Sequence, residues 1–225
     1  MDTKVVEFKP MVLQNSDQLF LTSSISYVAH DLIKWLPFSP KNKKLMFITT
    51  ASEVEKGDLE WQNSDVMSLI NSGFDVSQYT LTGQEPDEIA KDLAQYDVLH
   101  MGGGNSFYLL QQIQKTKFLP ILSTWMKKGG IYIGTSAGSI VASPDISPFQ
   151  ILDPKLAPFL EGTQGLSLTD LLIFPHWGSV DFKELYLNQR LGLAYTERYK
   201  ITLLTNYQYI RFENGFYKIE EVEHD

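Results

Sequence analysis

The run Gly134-Thr135-Ser136-Ala137-Gly138 follows the short apolar stretch GIYI and precedes the helix-like SIVAS. A glycine, any residue, serine, any residue and glycine at a strand-to-helix junction is the pattern that lifts a serine hydroxyl clear of a sheet. The flanking glycines let the chain turn sharply there, and the start of the following helix favours negative charge developing close by. The chemistry this spacing offers is nucleophilic attack by Ser136, with the Ala137 N–H placed to donate to an oxyanion. The bland alternative is a glycine-rich turn with a capping serine.

Two further runs have the same character. Gly102-Gly103-Gly104-Asn105 ends one apolar stretch and opens a helical one, so its main-chain donors, Gly104 foremost, can complete an oxyanion hole. A phosphate cradle is the competing reading, but the run lacks both the G-x-G-x-x-G spacing and a Walker lysine. Phe174-Pro175-His176-Trp177 closes another apolar run, and of the four histidines His176 alone is placed at a strand terminus. Parallel α/β sheets gather their active groups at such ends, which makes His176 the candidate base. A base needs an orienting acceptor, and Asp145, Asp153 and Asp170 all lie between serine and histidine in the chain.

The elements that must carry these residues are legible as alternating strands and helices. Segments 18–24, 44–52, 74–81, 97–104 and 130–136 read as buried strands, and 26–36, 59–73, 85–96, 106–116 and 119–130 as helices. This alternation implies an α/β fold with a mostly parallel sheet and helices on both faces. Residues 143–170 carry Pro144, Pro148, Pro154 and Pro158 and read as a long irregular loop, of the kind that is usually functional. A helix is expected over 180–195, then a terminal hairpin turning at Asn214–Gly215.

At 225 residues the chain is expected to form one domain, with 1–17 as an N-terminal extension and 203–219 within the C-terminal hairpin. A net charge of −8 without a dense basic stripe argues against a nucleic-acid partner, and no apolar window is long enough to span a membrane. Cysteine is absent, so any nucleophile is an oxygen or an amine. With no secretory leader visible at the start, the expected compartment is the cytoplasm. No histidine pair or acidic cluster at ligand spacing is present, so neither metal nor cofactor is expected.

The stretches GGGNSFYLL, KKGGIYIGTSAGSIVASP and GLSLTDLLIFPHWG, in order between about residues 18 and 219, resemble the peptidase E family of serine dipeptidases that cleave after an amino-terminal aspartate, and their cyanophycinase relatives. The resemblance implies a flavodoxin-like three-layer sandwich similar to class I glutamine amidotransferases, with serine in place of their cysteine. It implies Ser136 as nucleophile, His176 as general base, an oxyanion hole from Gly104 and Ala137, and Asp153 as the best match for the third member. Asn105, Trp177 and Arg190 are the expected substrate-binding residues, with Phe107, Tyr108 and the 143–170 loop as further walls. In aspartyl dipeptidases a basic residue holds the substrate's aspartate, and here the matching position is Leu187, with Arg190 and Lys183 nearby as the candidate substitutes, so the aspartyl preference does not transfer with the hydrolytic machinery. The expected activity is cleavage of a small peptide by a monomer or homodimer. The rivals are an esterase of α/β-hydrolase type and an inactive small-molecule binding member of the same fold.

Overall fold

A computed structural model describes residues 18–149, 154–213 and 215–223. In chain order the elements are β1 (Leu19–Thr22), α1 (Ile25–Leu32), β2 (Lys44–Ile48), α2 (Glu60–Asn71), β3 (Asp75–Tyr79), α3 (Pro86–Leu93), β4 (Val98–Met101), α4 (Ser106–Lys115), α5 (Phe118–Met126), β5 (Ile131–Thr135) and α6 (Ala137–Val141). There follow β6 (Leu171–Phe174), α7 (Val180–Leu185), α8 (Leu191–Ala194), β7 (Lys200–Leu203), β8 (Gln208–Glu213) and β9 (Phe216–Glu221).

The main sheet has the order β3-β2-β4-β5-β1-β8-β9, parallel from β3 through β1 and closed at one side by the antiparallel β8 and β9. Side chains alternate across it with the period of two that a strand imposes. Phe20, Leu45, Phe47, Val98, Ile131 and Ile133 pack with residues of α1 and α2 in one core. Leu19, Leu21, Met46, Leu99, Met101 and Tyr132 face the opposite core, with residues of α3 to α6. Burial on both faces explains why these strands read as continuous apolar runs. The chain is thus the α/β three-layer arrangement its sequence implies.

Three elements differ from expectation. The proline-rich segment contains short 3-10 turns at Ser147–Phe149 and Pro154–Leu156, and Asp145 bridges Gln164. Its apolar side chains Ile146, Phe149, Leu166 and Leu168 are buried, so it is packed core rather than a free loop. The helix expected over 180–195 is interrupted by a π-helical stretch, Tyr186–Arg190, between α7 and α8. Residues 201–203, expected as the start of the hairpin, instead belong to β7, which lies beside β6 in a separate two-stranded parallel sheet. The hairpin itself is β8 and β9, joined through Gly215 at φ +77°; Asn214, like residues 1–17, lies outside the described residues. No helix among the described residues is long and apolar enough to cross a membrane.

Candidate active site

Ser136 leaves β5 with φ +49° and ψ −107°, a conformation that costs a non-glycine residue about 1–3 kcal/mol and persists only where its surroundings enforce it. The enforcement is visible. The Ser136 N–H donates to the Thr22 carbonyl at 3.1 Å, tying the turn to the end of β1. The Ser139 hydroxyl lies 2.7 Å from the Thr22 carbonyl and accepts from the Thr22 N–H at 3.0 Å, and the buried Tyr132 hydroxyl donates to the Gly138 carbonyl at 2.7 Å. A Cβ on Gly138 would lie 2.0 Å from the Met101 carbonyl oxygen, and one on Gly134 would lie 2.8 Å from that of Gly138. The two glycines are therefore required by close backbone approach of the turn to β4 and to itself. Beneath the turn Thr135 Oγ1 meets Thr22 Oγ1 at 2.8 Å and His100 Nε2 at 2.9 Å. Complete burial pushes the His100 pKa down to about 3, so this histidine is a neutral strut.

The second half of the site comes from the small sheet. Phe174 and Leu203 are register partners at the ends of β6 and β7, so the chain just beyond each arrives at the same place. His176 follows one and Asn206 the other. His176 takes φ +60°, held by its N–H donating to Ser23 Oγ at 3.0 Å, while Ser23 Oγ donates to the Leu204 carbonyl at 2.9 Å. Phe182 of α7 stacks on the imidazole, with centroids 4.8 Å apart at 14°. The ring is thereby fixed in position and plane.

Its two nitrogens are both engaged. Nε2 lies 3.0 Å from Ser136 Oγ, and Nδ1 lies 2.7 Å from Asn206 Oδ1. A carboxamide oxygen only accepts, so the ring proton is on Nδ1 and Nε2 presents its lone pair to the serine hydroxyl. Burial lowers the His176 pKa below that of free imidazole, opposed by the Asn206 bond, and the ring is neutral at pH 7. A neutral imidazole with this tautomer can take a proton from Ser136 as the hydroxyl attacks.

The remaining candidates sort clearly. Gly104, at φ +123°, allows the β4 loop to pass Ala51, whose carbonyl oxygen would be 2.3 Å from any Cβ there. The neighbouring Gly103 brings this loop against Ser136, whose Cβ is 3.4 Å from the Cβ position of Gly103. Ala137 is the first residue of α6, so its N–H has no partner within the helix. Asn105 borders the cleft, but its side chain caps α4 by accepting from the Phe107 and Tyr108 N–H groups at 3.1 and 3.0 Å. Arg190, on the π-helical stretch, also borders the cleft; its Nε donates to the Phe149 carbonyl at 3.0 Å and its plane lies over Phe149 and Tyr186.

Several expectations need correction. Trp177 does not line the cleft: its ring stacks on Tyr186, with centroids 6.4 Å apart at 15°, and packs against the core. The described parts of the 143–170 loop also stay outside the cleft, and so does Tyr108, whose hydroxyl donates to Glu53. Asp153 lies outside the described residues. Asp145 accepts from Tyr199 and Ser147, and Asp170 pairs with Lys200, so neither serves His176. Asn206 is a side chain the sequence does not flag, because it is neither an acid nor placed between serine and histidine in the chain. A register match between 171–174 and 200–203 is the signal that would have found it.

The cleft itself measures about 570 Å³, within the usual range for small-molecule sites, and opens at the carboxyl ends of β1, β4 and β5. Tyr27 and Trp61 stand at its rim, and Asp65 and Phe107 lie deeper. Among the described residues no three His, Asp or Glu side chains converge to hold a metal ion.

A mostly parallel three-layer α/β sheet with a strained serine at a strand end defines the class. The chain belongs to peptidase family S51, whose model matches residues 19–219. It is 32% identical over 193 residues to an uncharacterised peptidase of Listeria innocua, covering 85% of this chain and 90% of that one. It is 36% identical over 84 residues to peptidase E of Escherichia coli, covering 36% of this chain and 34% of that one. Among solved structures, one from Listeria monocytogenes provisionally assigned to peptidase E superposes with a TM-score of 0.83 at 27% identity, covering 92% of this chain and 99% of that one. These relatives are peptidases by name, and the fold is the flavodoxin-like, class I glutamine amidotransferase-like one.

Proposed function

We propose that the protein is a serine-type peptidase that hydrolyses dipeptides or other small peptides, with Ser136 as nucleophile, His176 as general base and Asn206 as the residue that orients it. The observation that carries this reading is the continuous chain Ser136 Oγ, His176, Asn206 Oδ1, with links of 3.0 and 2.7 Å and only one tautomer compatible with both. In this reading Oγ attacks the peptide carbonyl as its proton passes to Nε2. The carbonyl oxygen becomes an anion facing the Gly104 and Ala137 N–H groups, and the proton then goes to the leaving amine. Water repeats the sequence on the acyl-enzyme. Asn206 takes the orienting role at Nδ1; a neutral amide fixes the tautomer but adds no charge to stabilise the imidazolium.

Arg190 supports an acidic group on the substrate. Among the described residues it is the one guanidinium bordering the cleft, it is half-buried, and no carboxylate pairs with it. Leu187, at the position matched to the family's basic residue, is 53% exposed and away from the cleft. The carrier of any acidic preference in this chain is therefore Arg190.

The test is a panel of acidic and neutral dipeptides and short-chain esters, compared by kcat/KM for the wild type and Ser136→Ala. Dipeptide turnover abolished by the substitution is expected. Turnover confined to esters would favour an esterase, and ligand binding without any turnover would favour a binding protein on the same fold.

A further inference from the structure

Among the described residues Asp65 is the one acidic side chain that is buried and also borders the cleft, at 2% exposure. The other two carboxylates there, Glu55 and Asp181, are exposed at the rim. Its protein partner is Ser26, whose backbone N–H donates to Oδ1 at 3.2 Å, and no basic side chain among the described residues meets it. A carboxyl withdrawn from water without a cation is costly, and burial raises its pKa to about 7. Such a group sits in a cleft at a cost to stability unless a positive charge arrives.

Its position is defined from two sides. Four residues earlier on the same face of α2, the Trp61 ring lies 3.3 Å from the Cβ position of Gly103, itself against Ser136. Four residues of helix are about 6 Å. From the other side, Ser26 follows β1, whose terminal Thr22 carbonyl holds the Ser136 N–H. The α-nitrogen of a substrate's first residue is two bonds from the scissile carbon. A carboxylate bonded to it therefore stands no more than about 8 Å from the attacking oxygen, given ordinary bond lengths, a charge-assisted hydrogen bond and near-attack distance. Asp65 and Ser136 border the same cleft.

Resting on the peptidase reading above, we propose that Asp65 holds the free α-ammonium group of the substrate's amino-terminal residue, so that the enzyme takes peptides with an unblocked amino terminus. The ion pair forms only when substrate enters, and it fixes the scissile bond as the first in the chain. A purely architectural role, capping α1 through the Ser26 N–H, needs an acceptor oxygen but no charge. Asp65→Asn keeps that oxygen and removes the charge, which separates the two roles.

The experiment compares kcat/KM for an aminoacyl p-nitroanilide and its N-acetyl counterpart, after stoichiometric labelling by a fluorophosphonate has established that Ser136 is reactive. The wild type is expected to favour the free amine by at least 100-fold. Asp65→Asn is expected to lose at least tenfold more on the free amine than on the acetylated substrate. Equal losses on both, or a wild type indifferent to acetylation, would overturn the proposal while leaving the peptidase reading intact. Failure of the labelling would instead strike the peptidase reading itself. If the variant does not fold, inhibition of the wild type by an amino acid amide and by its N-acetyl form decides the matter: inhibition by the free amine alone supports Asp65 as an ammonium site, and equal inhibition overturns it.

Discussion

Replacing Asn206 by alanine removes the acceptor at His176 Nδ1 and nothing else in the hydrogen-bond chain. The lost contact is 2.7 Å long and becomes charge-assisted when the imidazole takes the serine's proton. Hydrogen bonds to charged groups contribute roughly 1.5–3 kcal/mol, and here the loss falls on the transition state, so kcat/KM is expected to drop by roughly 10- to 150-fold. Part of that drop comes from the ring proton no longer being confined to Nδ1. The companion substitution Asn206→Asp keeps an acceptor and adds a negative charge facing the ring, which favours the imidazolium and raises the His176 pKa. The sign follows from the base's role. Activity requires the neutral ring, so the acid limb of kcat/KM lies at the depressed pKa of His176, below about 6.5 in the wild type, and moves to higher pH in Asn206→Asp. The assay is kcat/KM against pH from about 5 to 8 for all three proteins. An Asn206→Ala enzyme within twofold of wild type throughout, or an acid limb that does not move in Asn206→Asp, would refute the assignment of Asn206 as the orienting residue.

Gly138→Ala drives a Cβ to 2.0 Å from the Met101 carbonyl, where backbone on both sides cannot yield, and is expected to cost about 3 kcal/mol or more in urea unfolding. Gly192→Ala, in α8 with nothing within 4 Å of its Cβ position, is expected to stabilise by about 0.5–1 kcal/mol in the same assay. Asp65 has a folded pKa near 7 against 3.8 unfolded, so the folded state holds the extra proton between those values and the residue destabilises increasingly as pH rises through them. Asp65→Asn is thus expected to be more stable than wild type by a few kcal/mol at pH 8 and to show little difference near pH 4, as read by Tm at both. Arg190→Gln is expected to lower kcat/KM at least tenfold more on acidic than on neutral dipeptides, with a Tm measurement controlling for the Phe149 contact.

Most of the framework was legible because β1, β2, β4 and β5 are buried on both faces and lie between helices, a pattern that local residue order records directly. Ser136 was legible for a similar reason: its glycines answer to backbone contacts within a few residues and the adjacent strand. What escaped depends on contacts distant in sequence. Asn206 reaches His176 only because β7 leaves the expected hairpin to pair with β6, and a neutral amide carries no compositional flag. Trp177 adjoins His176 in sequence, yet the +60° φ at His176 sends the two side chains apart, one to Ser136 and the other to Tyr186. Asp65 was invisible because a single acid on a helix is ordinarily a solvated charge; only its burial beside the cleft marks it.

The measurement closest to the centre of the account is intact and peptide mass spectrometry after incubation with a fluorophosphonate at neutral pH. One adduct per chain is expected, located on Ser136 and absent from both Ser136→Ala and His176→Ala. An unmodified protein, or an adduct that persists in Ser136→Ala, would contradict the claim that this hydroxyl is a nucleophile activated by the neighbouring imidazole.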